Sequence, residues 1–281
     1  MKNKDIKLEG EPPFNIAFDG EFSWEILLHI PLVYEAHLNG LLGETRSTSG
    51  TKPFYYFSDN HVDNSPPADC GGKLHYQGGS YDYDYEEIFA KEFDLSNFKF
   101  PPYKEHYSNL ARSKNIHFSK PVVAINNKSL EEWGYGQEAQ NRIEIEELEA
   151  IVKHYHDHDI IYIRANVGVD FPDTQRSIPF NDKEYMRTFE NVYVDEDLSK
   201  EWNTDFNTTQ LIAHSLAEKH FSVAGGNAFI CAFFGGTHTI KRADIRAVNE
   251  RPVWHTDSYL KNITGSKVIG VTNRKELIAS F

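Results

Sequence analysis

The chain contains little of what defines several classes of protein. Among its 281 residues there are two cysteines, Cys70 and Cys231, which are too few for a disulfide-stabilised scaffold and fit a reducing compartment. Basic residues are scarce relative to acidic ones, since 29 Lys and Arg against 42 Asp and Glu leave a formal net charge of -13. A surface of that sign repels phosphate backbones and anionic lipid headgroups, so we expect no nucleic-acid partner and no anionic membrane surface.

Long apolar runs are missing as well. The longest apolar stretch, FSVAGGNAFICAFFGG at 221–236, is interrupted by glycines and an asparagine, which argues against a membrane span. The N-terminal segment MKNKDIKLEGEPPF has no apolar signal core, so we expect a cytoplasmic protein. The composition that remains, 40% hydrophobic and 25% charged, is an ordinary globular balance.

Strand-like and helix-like segments alternate along the chain, which predicts an α/β fold with a parallel, doubly wound sheet. The predicted strands are 14–19, 52–59, 121–127, 160–165, 191–195, 220–224, 238–242 and 267–271. The predicted helices are 22–38, 144–157, 207–219 and 227–236. Residues 60–112 favour loops with short elements. We therefore predict two Rossmann-like halves, an N-terminal domain at 1–118 and a C-terminal domain at 119–281.

Polar residues and glycines follow three predicted strands of the second half. Gly225 and Gly226 lie between the strand at 220–224 and a helix that starts near Asn227, where a backbone can approach a phosphate closely. Asn126, Asn127 and Lys128 follow a second strand, and Arg164 follows a third. Ligands of open α/β sheets bind at the carboxyl ends of strands. The pattern therefore indicates a phosphate-binding edge, although a packing joint and a solvated loop are the alternatives for the glycines and the asparagines.

Two further patterns could point to metals. The triplets at 82–84 and 195–197 both spell Asp-x-Asp, which holds a divalent cation in metal-dependent glycosyltransferases of the GT-A fold. His154 and His158 are spaced as two ligands on one helical turn, but no third ligand accompanies them. We favour a Tyr/Asp-rich loop for the first triplet and a solvated helix end for the histidines. The second triplet follows a predicted strand, but it precedes the strand at 220–224, whereas GT-A enzymes place the motif midway through one nucleotide-binding domain. No metal site is therefore predicted.

Three segments carry a resemblance to a known family. They are GEFSWE at 20–25, INNKSLEEWG at 125–134 and TQLIAHSLAEKHFSVAGGNAFICAFFGG at 209–236. With them the chain resembles Leloir glycosyltransferases of the GT-B architecture, of the kind that builds surface glycans in bacteria and large DNA viruses. The resemblance implies two facing Rossmann-like domains with a cleft between them. It also implies a nucleotide-sugar donor, a glycan acceptor and no cofactor or metal.

The resemblance implies a donor site in the C-terminal half. Its residues would be Asn126, Lys128, Arg164, Gly225, Gly226 and Asn227. Related fucosyltransferases carry a His-x-Arg motif at the strand-end arginine, whereas here Tyr162 takes the place of the histidine. A GDP-fucose donor is thereby disfavoured. A UDP-sugar is preferred, with UDP-xylose as the expected sugar of a viral-type xylosyltransferase.

The N-terminal half would bind the acceptor and supply the catalytic base. Inverting sugar transfer needs a group that takes the proton of the acceptor hydroxyl, and Asp19 and Glu21 follow the first predicted strand. Gly20 and Trp24 would contact the acceptor. Helix capping and a favourable charge near the helix N-terminus are the structural alternatives for the two acids. A non-catalytic carbohydrate- or nucleotide-binding module, a GT-A enzyme and a fucosyltransferase remain the alternative functions.

Overall fold

The computed structural model describes residues 8, 10–65, 72–76, 79–82, 99–130, 142–166, 177–242 and 265–281. The described residues fall into two compact units, one up to Pro101 and the other from Pro102 onward. Helix α3 (Tyr103–Ser113) belongs to the second unit, whereas the sequence placed the boundary after it. In the described part of the chain, no helix combines the length and apolar character that a membrane crossing requires.

The first unit contains a mixed sheet. Its described strands have the order β3-β2-β1-β4-β5. They are β1 (Phe14–Gly20), β2 (Leu42–Thr48), β3 (His61–Ser65), β4 (Gly72–Tyr76) and β5 (Gly79–Asp82). The first three pair in parallel, β4 pairs antiparallel with β1, and β5 pairs antiparallel with β4. Burial of alternate residues of β1 against the core follows from the two-residue period of a strand.

A helical crossover joins β1 to β2. It consists of α1 (Phe22–Trp24), a π-helical turn (Glu25–His29) and α2 (Ile30–Leu38), and it matches the helix predicted at 22–38. The strand predicted at 52–59 is wrong, because Lys52–Tyr55 is a 3₁₀-helix with proline in its first turn. Its aromatic side chains favour strands only where a pleated, half-buried surface receives them.

The second unit contains a sheet in which all paired strands are parallel, with the order β11-β10-β9-β6-β7-β8. Its strands are β6 (Val122–Asn126), β7 (Asp159–Ile163), β8 (Val192–Val194), β9 (Ala217–Val223), β10 (Thr237–Lys241) and β11 (Lys267–Val271). Every residue of β6 and β7 is buried, as expected for parallel strands with both faces covered. The prediction of an α/β protein with a parallel sheet is confirmed.

The helices of the second unit follow its strands in the α/β manner. Besides α3 they are α4 (Ile145–His154), α5 (Asp182–Met186), α6 (Asp195–Trp202), α7 (Phe206–Leu216), α8 (Gly226–Ala232) and α9 (Arg274–Ala279). The N-terminus of α7 is capped by a side chain. Asp205 is the N-cap, and its carboxylate accepts a hydrogen bond from Thr208 N at 2.8 Å.

The strand order reverses direction at β6. From β6 the chain adds β7 and then β8 on one side, and it returns to place β9 on the other side, followed by β10 and β11. The reversal therefore lies between the neighbouring strands β6 and β9. In doubly wound sheets, the crevice outside the carboxyl ends of two such strands is where ligands bind.

Candidate functional site at the carboxyl edge of the second sheet

Lys128 and Gly225 meet at this reversal. Lys128 follows β6, and Gly225 lies between β9 and α8, directly before the first residue of α8. A Cβ atom built on Gly225 would lie 3.2 Å from Nζ of Lys128, so the ammonium group stands directly over the glycine turn. Both residues and Gly226 are partly exposed. Of the predicted donor residues, the structure brings these three together at one accessible edge.

The turn at Gly225 depends on glycine. Its φ of 121° and ψ of -159° lie in a region that side chains with a Cβ atom rarely adopt. The backbone then enters α8, where Ala228 N donates to Gly225 O at 3.0 Å. Asn227 lies in the first turn of α8. The turn brings backbone within reach of the Lys128 ammonium, which is the arrangement that suits an anionic group.

The two asparagines after β6 are turned inward. Asn126 is 1% exposed, and its Nδ2 atom lies 3.2 Å from Nε2 of His214 and 3.4 Å from Oε1 of Gln210, both on α7. Asn127 is equally buried and donates from Nδ2 to Tyr162 Oη at 2.9 Å and to Ile143 O at 3.0 Å. Asn126 therefore links the end of β6 to α7, and Asn127 links it to Tyr162 and Ile143.

Arg164 lies at the end of β7 and is 8% exposed. Its Nε atom is 2.7 Å from Oδ2 of Asp182, which also accepts the hydroxyl hydrogen of Tyr162. Its backbone N donates to Oδ2 of Asp195 at 3.1 Å. The guanidinium is thus engaged by a buried carboxylate, and its part in donor binding stays a prediction.

The triplet at 195–197 forms the first turn of α6. Asp195 lies 3.0 Å from Nζ of Lys183, and Glu196 lies 2.8 Å from the same atom. Burial raises the pKa of Asp195 to about 6 against the opposing effect of Lys183. Burial would also raise the pKa of Glu196, but hydrogen bonds from Lys183, Arg187 and Asn166 outweigh it and hold that pKa at about 2. These acids already have cationic partners, as in a structural ion-pair network.

The other two metal-like patterns are the triplet at 82–84 and the pair of His154 and His158. Residues 83 and 84 of the first triplet lie outside the described residues. His154 is exposed, with its ring centroid 4.7 Å from that of Phe281. His158 Nδ1 is 2.6 Å from Oδ1 of Asp157. Each of these two histidines has its own surface partner.

In the first unit, Asp19 is paired with His75. The two side chains are about half exposed, and Nε2 of His75 lies 2.9 Å from Oδ2 of Asp19. They come together because β4 pairs with β1, with Ala17 opposite His75 and Asp19 displaced by two residues on the same face. No local pattern in the sequence predicts this contact. An exposed Asp–His pair can hold and transfer a proton.

The remaining residues predicted around Asp19 lie in different surroundings. Glu21 is the N-cap residue of α1 and is partly exposed, with no side-chain capping hydrogen bond. Gly20 is buried at the end of β1, opposite Gly72. Trp24 is 1% exposed and packs in the core of the first unit. Their catalytic or acceptor-binding roles stay predictions.

Glu25 forms a buried polar cluster that the sequence did not single out. It is 0% exposed, and its Oε1 atom accepts hydrogen bonds from Ser47 Oγ and, at 2.6 Å, from Tyr55 Oη. Burial raises the pKa of Glu25 to about 7, although both hydrogen bonds act in the opposite direction. Burial likewise lowers the pKa of the neighbouring His29 to about 3. The π-helical turn that carries both residues is a feature often associated with function.

Comparison with solved structures gives weak alignments, including two with transferases of one organism. No family model matches the chain, and no curated protein matches it significantly. The KpsC β-Kdo 2,4 transferase of Thermosulfurimonas dismutans aligns with a TM-score of 0.33 and 11% identity over 77% of this chain and 66%, just under two thirds, of the other. The KpsC β-Kdo 2,7 transferase of the same organism aligns with a TM-score of 0.31 and 11% identity over 89% and 79%. At these TM-scores the alignments carry no argument about activity. The function proposed below is argued from the residues described above.

Proposed function

We propose that this chain is a glycosyltransferase that binds a nucleotide diphosphate sugar at the carboxyl edge of its second sheet. The observation that carries the proposal is the Lys128 ammonium over the positive-φ turn at Gly225, at the strand reversal between β6 and β9. A cation and a close backbone approach together are what a diphosphate requires. The three sequence segments that resemble Leloir glycosyltransferases add the reaction class.

The donor that we propose is a UDP-sugar, and UDP-xylose is the first to test. Lys128, Gly225, Gly226 and Asn227 form the diphosphate end of the proposed site, because they lie at or beside the reversal. Asn126 and Arg164 support that edge from the interior, through α7 and Asp182 respectively.

The base that we propose is the carboxylate of Asp19 or Glu21, in an inverting transfer to a glycan hydroxyl. Asp19 is favoured over Glu21 because His75 at 2.9 Å can take part in moving the proton. In that arrangement Asp19 and His75 act as a pair. The acceptor hydroxyl gives its proton to the pair as its oxygen bonds to the anomeric carbon of the donor, the bond from that carbon to the diphosphate breaks, and the nucleoside diphosphate leaves. Asp19→Asn and His75→Gln should then each lower kcat by about 100-fold or more. Glu21→Gln, the matched control, should leave kcat within a few-fold of the wild type.

The donor site is tested by thermal unfolding with a panel of UDP-, GDP- and CMP-sugars. A ligand that binds the folded state alone raises its stability, so we expect a nucleotide diphosphate sugar to raise Tm. Lys128→Met should abolish that rise. Lys120→Met is the matched control, because Lys120 is an exposed lysine shortly before the start of β6, whereas Lys128 follows the end of that strand.

The outcomes separate the parts of the proposal. Equal stabilisation of both lysine variants by the nucleotide sugar would show that Lys128 is not part of the site. Stabilisation by a nucleoside monophosphate sugar alone would show that the site does not bind a diphosphate. Binding of nucleotide sugars without release of nucleotide in the presence of any glycan would indicate a binding module instead. Loss of transfer in excess EDTA that Mg²⁺ or Mn²⁺ restores and Zn²⁺ does not would favour the metal-dependent alternative.

A further inference from the structure

Three potential metal ligands converge in the interior of the second unit. His214 lies on α7, His220 on β9 and Cys231 on α8. Each of these side chains is at most 1% exposed. Their ligand atoms all lie within 4.8 Å of one another, the one such group found among the residues that the structure describes. The cluster lies apart from the transfer chemistry proposed above and needs its own explanation.

The distances match the edges of a tetrahedral zinc site. Zinc lies about 2.0–2.1 Å from imidazole nitrogen and about 2.3 Å from thiolate sulfur, so two ligand atoms on one ion are about 3.3 Å apart for two nitrogens and about 3.6 Å apart for nitrogen and sulfur. Here Nδ1 of His214 and Nδ1 of His220 are 3.3 Å apart. Sγ of Cys231 is 3.9 Å from the same atom of His214. Small side-chain adjustments would bring all three onto one ion.

Asn126 lies beside the ring of His214, where it can orient that ring. A metal-binding histidine usually donates its other ring N–H to an oxygen, which fixes the tautomer that coordinates. The Nδ2 atom of Asn126 lies 3.2 Å from Nε2 of His214, and a flip of this amide would present its oxygen to a ring N–H at that place. Nδ1 of His214 is then the lone-pair nitrogen, and it faces His220. Sγ of Cys231 is 3.8 Å from Nε2 of His214 and 3.9 Å from Nδ1, so a rotation of the Cys231 or His214 side chain would place the sulfur on the Nδ1 side.

We propose that His214, His220 and Cys231 bind a Zn²⁺ ion that has a structural role. Imidazole and thiolate together select zinc over magnesium or calcium, which prefer oxygen ligands. On binding, the S–H bond of Cys231 breaks, its electron pair goes to the metal and the proton leaves to solvent. Water or a further side chain takes the fourth position.

The position of the site suggests what the ion stabilises. It would tie α7 and α8 to β9, and β9 and α8 are the two elements that flank the turn at Gly225. A zinc ion here would therefore hold the proposed donor turn in place without contacting a ligand. This role does not depend on the donor being a nucleotide sugar, so the two proposals fail independently.

The test is the metal content and metal affinity of the purified full-length chain. We expect about one Zn²⁺ per chain, a rise in Tm when zinc is returned to chelator-stripped protein, and thiolate-to-metal charge-transfer absorption with Co²⁺. Cys231→Ser and His220→Gln should each weaken zinc binding by at least about 100-fold, since even the loss of a residue that only orients a metal ligand costs about 10- to 100-fold. His154→Gln is the matched control, at an exposed histidine outside the cluster, and should bind zinc as the wild type does.

Three results would overturn the proposal. The first is stripped wild-type protein whose Tm does not respond to zinc. The second is a Co²⁺ form without thiolate absorption, and the third is equal zinc binding by the cluster and control variants. If Cys231→Ser does not fold, stripping and reloading of the wild type still decides the question. Without metal, the same residues form a hydrogen-bonded chain from Asn126 through His214 to His220.

Discussion

Replacing Glu25 by glutamine should change how the stability of the protein depends on pH. Glutamine keeps the shape of glutamate and an oxygen that can accept the hydrogen bonds of Ser47 and Tyr55, but it carries no charge. Glu25 is fully buried, and burial raises its pKa from 4.5 to about 7. Because the folded-state pKa is raised, the favourable contribution of the protonated acid is present below about pH 4.5 and is lost as the pH rises to about 7.

The magnitude follows from the size of that change. A difference of about 2.5 pH units at about 1.4 kcal/mol per unit corresponds to about 3 kcal/mol for a fully buried group. The free energy of unfolding of the wild type should therefore fall relative to Glu25→Gln by about 1.4 kcal/mol per pH unit between about pH 5 and 7. Above that range the difference should be constant, with the variant more stable.

The assay is urea denaturation followed by circular dichroism at several pH values from about 5 to 8. Hydrogen exchange of peptides covering 14–38 assigns the transition to the first unit. Glu35→Gln is the matched control, because Glu35 is an exposed glutamate on the adjoining α2. Parallel pH profiles of wild type and Glu25→Gln would refute the reasoning, as would a variant less stable than the wild type at pH 8.

Three further predictions concern the second unit. Lys183→Met should destabilise the protein by about 3–5 kcal/mol, since it leaves the buried Asp195 without its cation, as measured by urea denaturation. Gly225→Ala should abolish stabilisation by nucleotide in thermal unfolding, whereas Gly40→Ala, which also has a positive φ of 67° but open space around it, should cost stability and leave nucleotide binding intact. Asp205→Ala should lower the free energy of unfolding by about 1 kcal/mol, because α7 loses its N-cap hydrogen bond.

Each of these has an outcome that contradicts it. A Lys183→Met variant as stable as the wild type would mean that Asp195 becomes neutral at little cost. Equal nucleotide response of the two glycine variants would separate the Gly225 turn from the site. An unchanged stability of Asp205→Ala would show that solvent replaces the cap.

Strand positions in the second unit were predictable because a strand that is buried on both faces has a continuous run of apolar residues in the local sequence. The apolar runs that end at Asn126 and Ile163 form β6 and β7, and a continuous apolar run is typical of a covered parallel strand. The glycine pair at 225–226 was predictable as a turn for a similar reason. Its positive φ at Gly225 is the kind of conformation for which glycine is the default residue.

The direction of individual side chains was not predictable in the same way. The place of Asn126 at the end of an apolar run predicts a ligand-binding amide, but its side chain points to α7 and is buried there. Which helix covers a given strand end depends on the crossovers of the whole sheet. Arg164 likewise reads as a phosphate clamp, and its partner Asp182 lies on a helix that the sequence analysis did not predict.

By itself, the sequence determined that this protein is α/β, where most strands of its second sheet lie and that glycine is needed after β9. Tertiary structure alone decided that Lys128 stands over Gly225, that Asp19 meets His75 and that His214, His220 and Cys231 converge. The physical reason is that periodicity and turn chemistry act between residues a few positions apart. Contacts across a sheet depend on which strands become hydrogen-bonded neighbours, and β6 and β9 are neighbours although about 90 residues separate them.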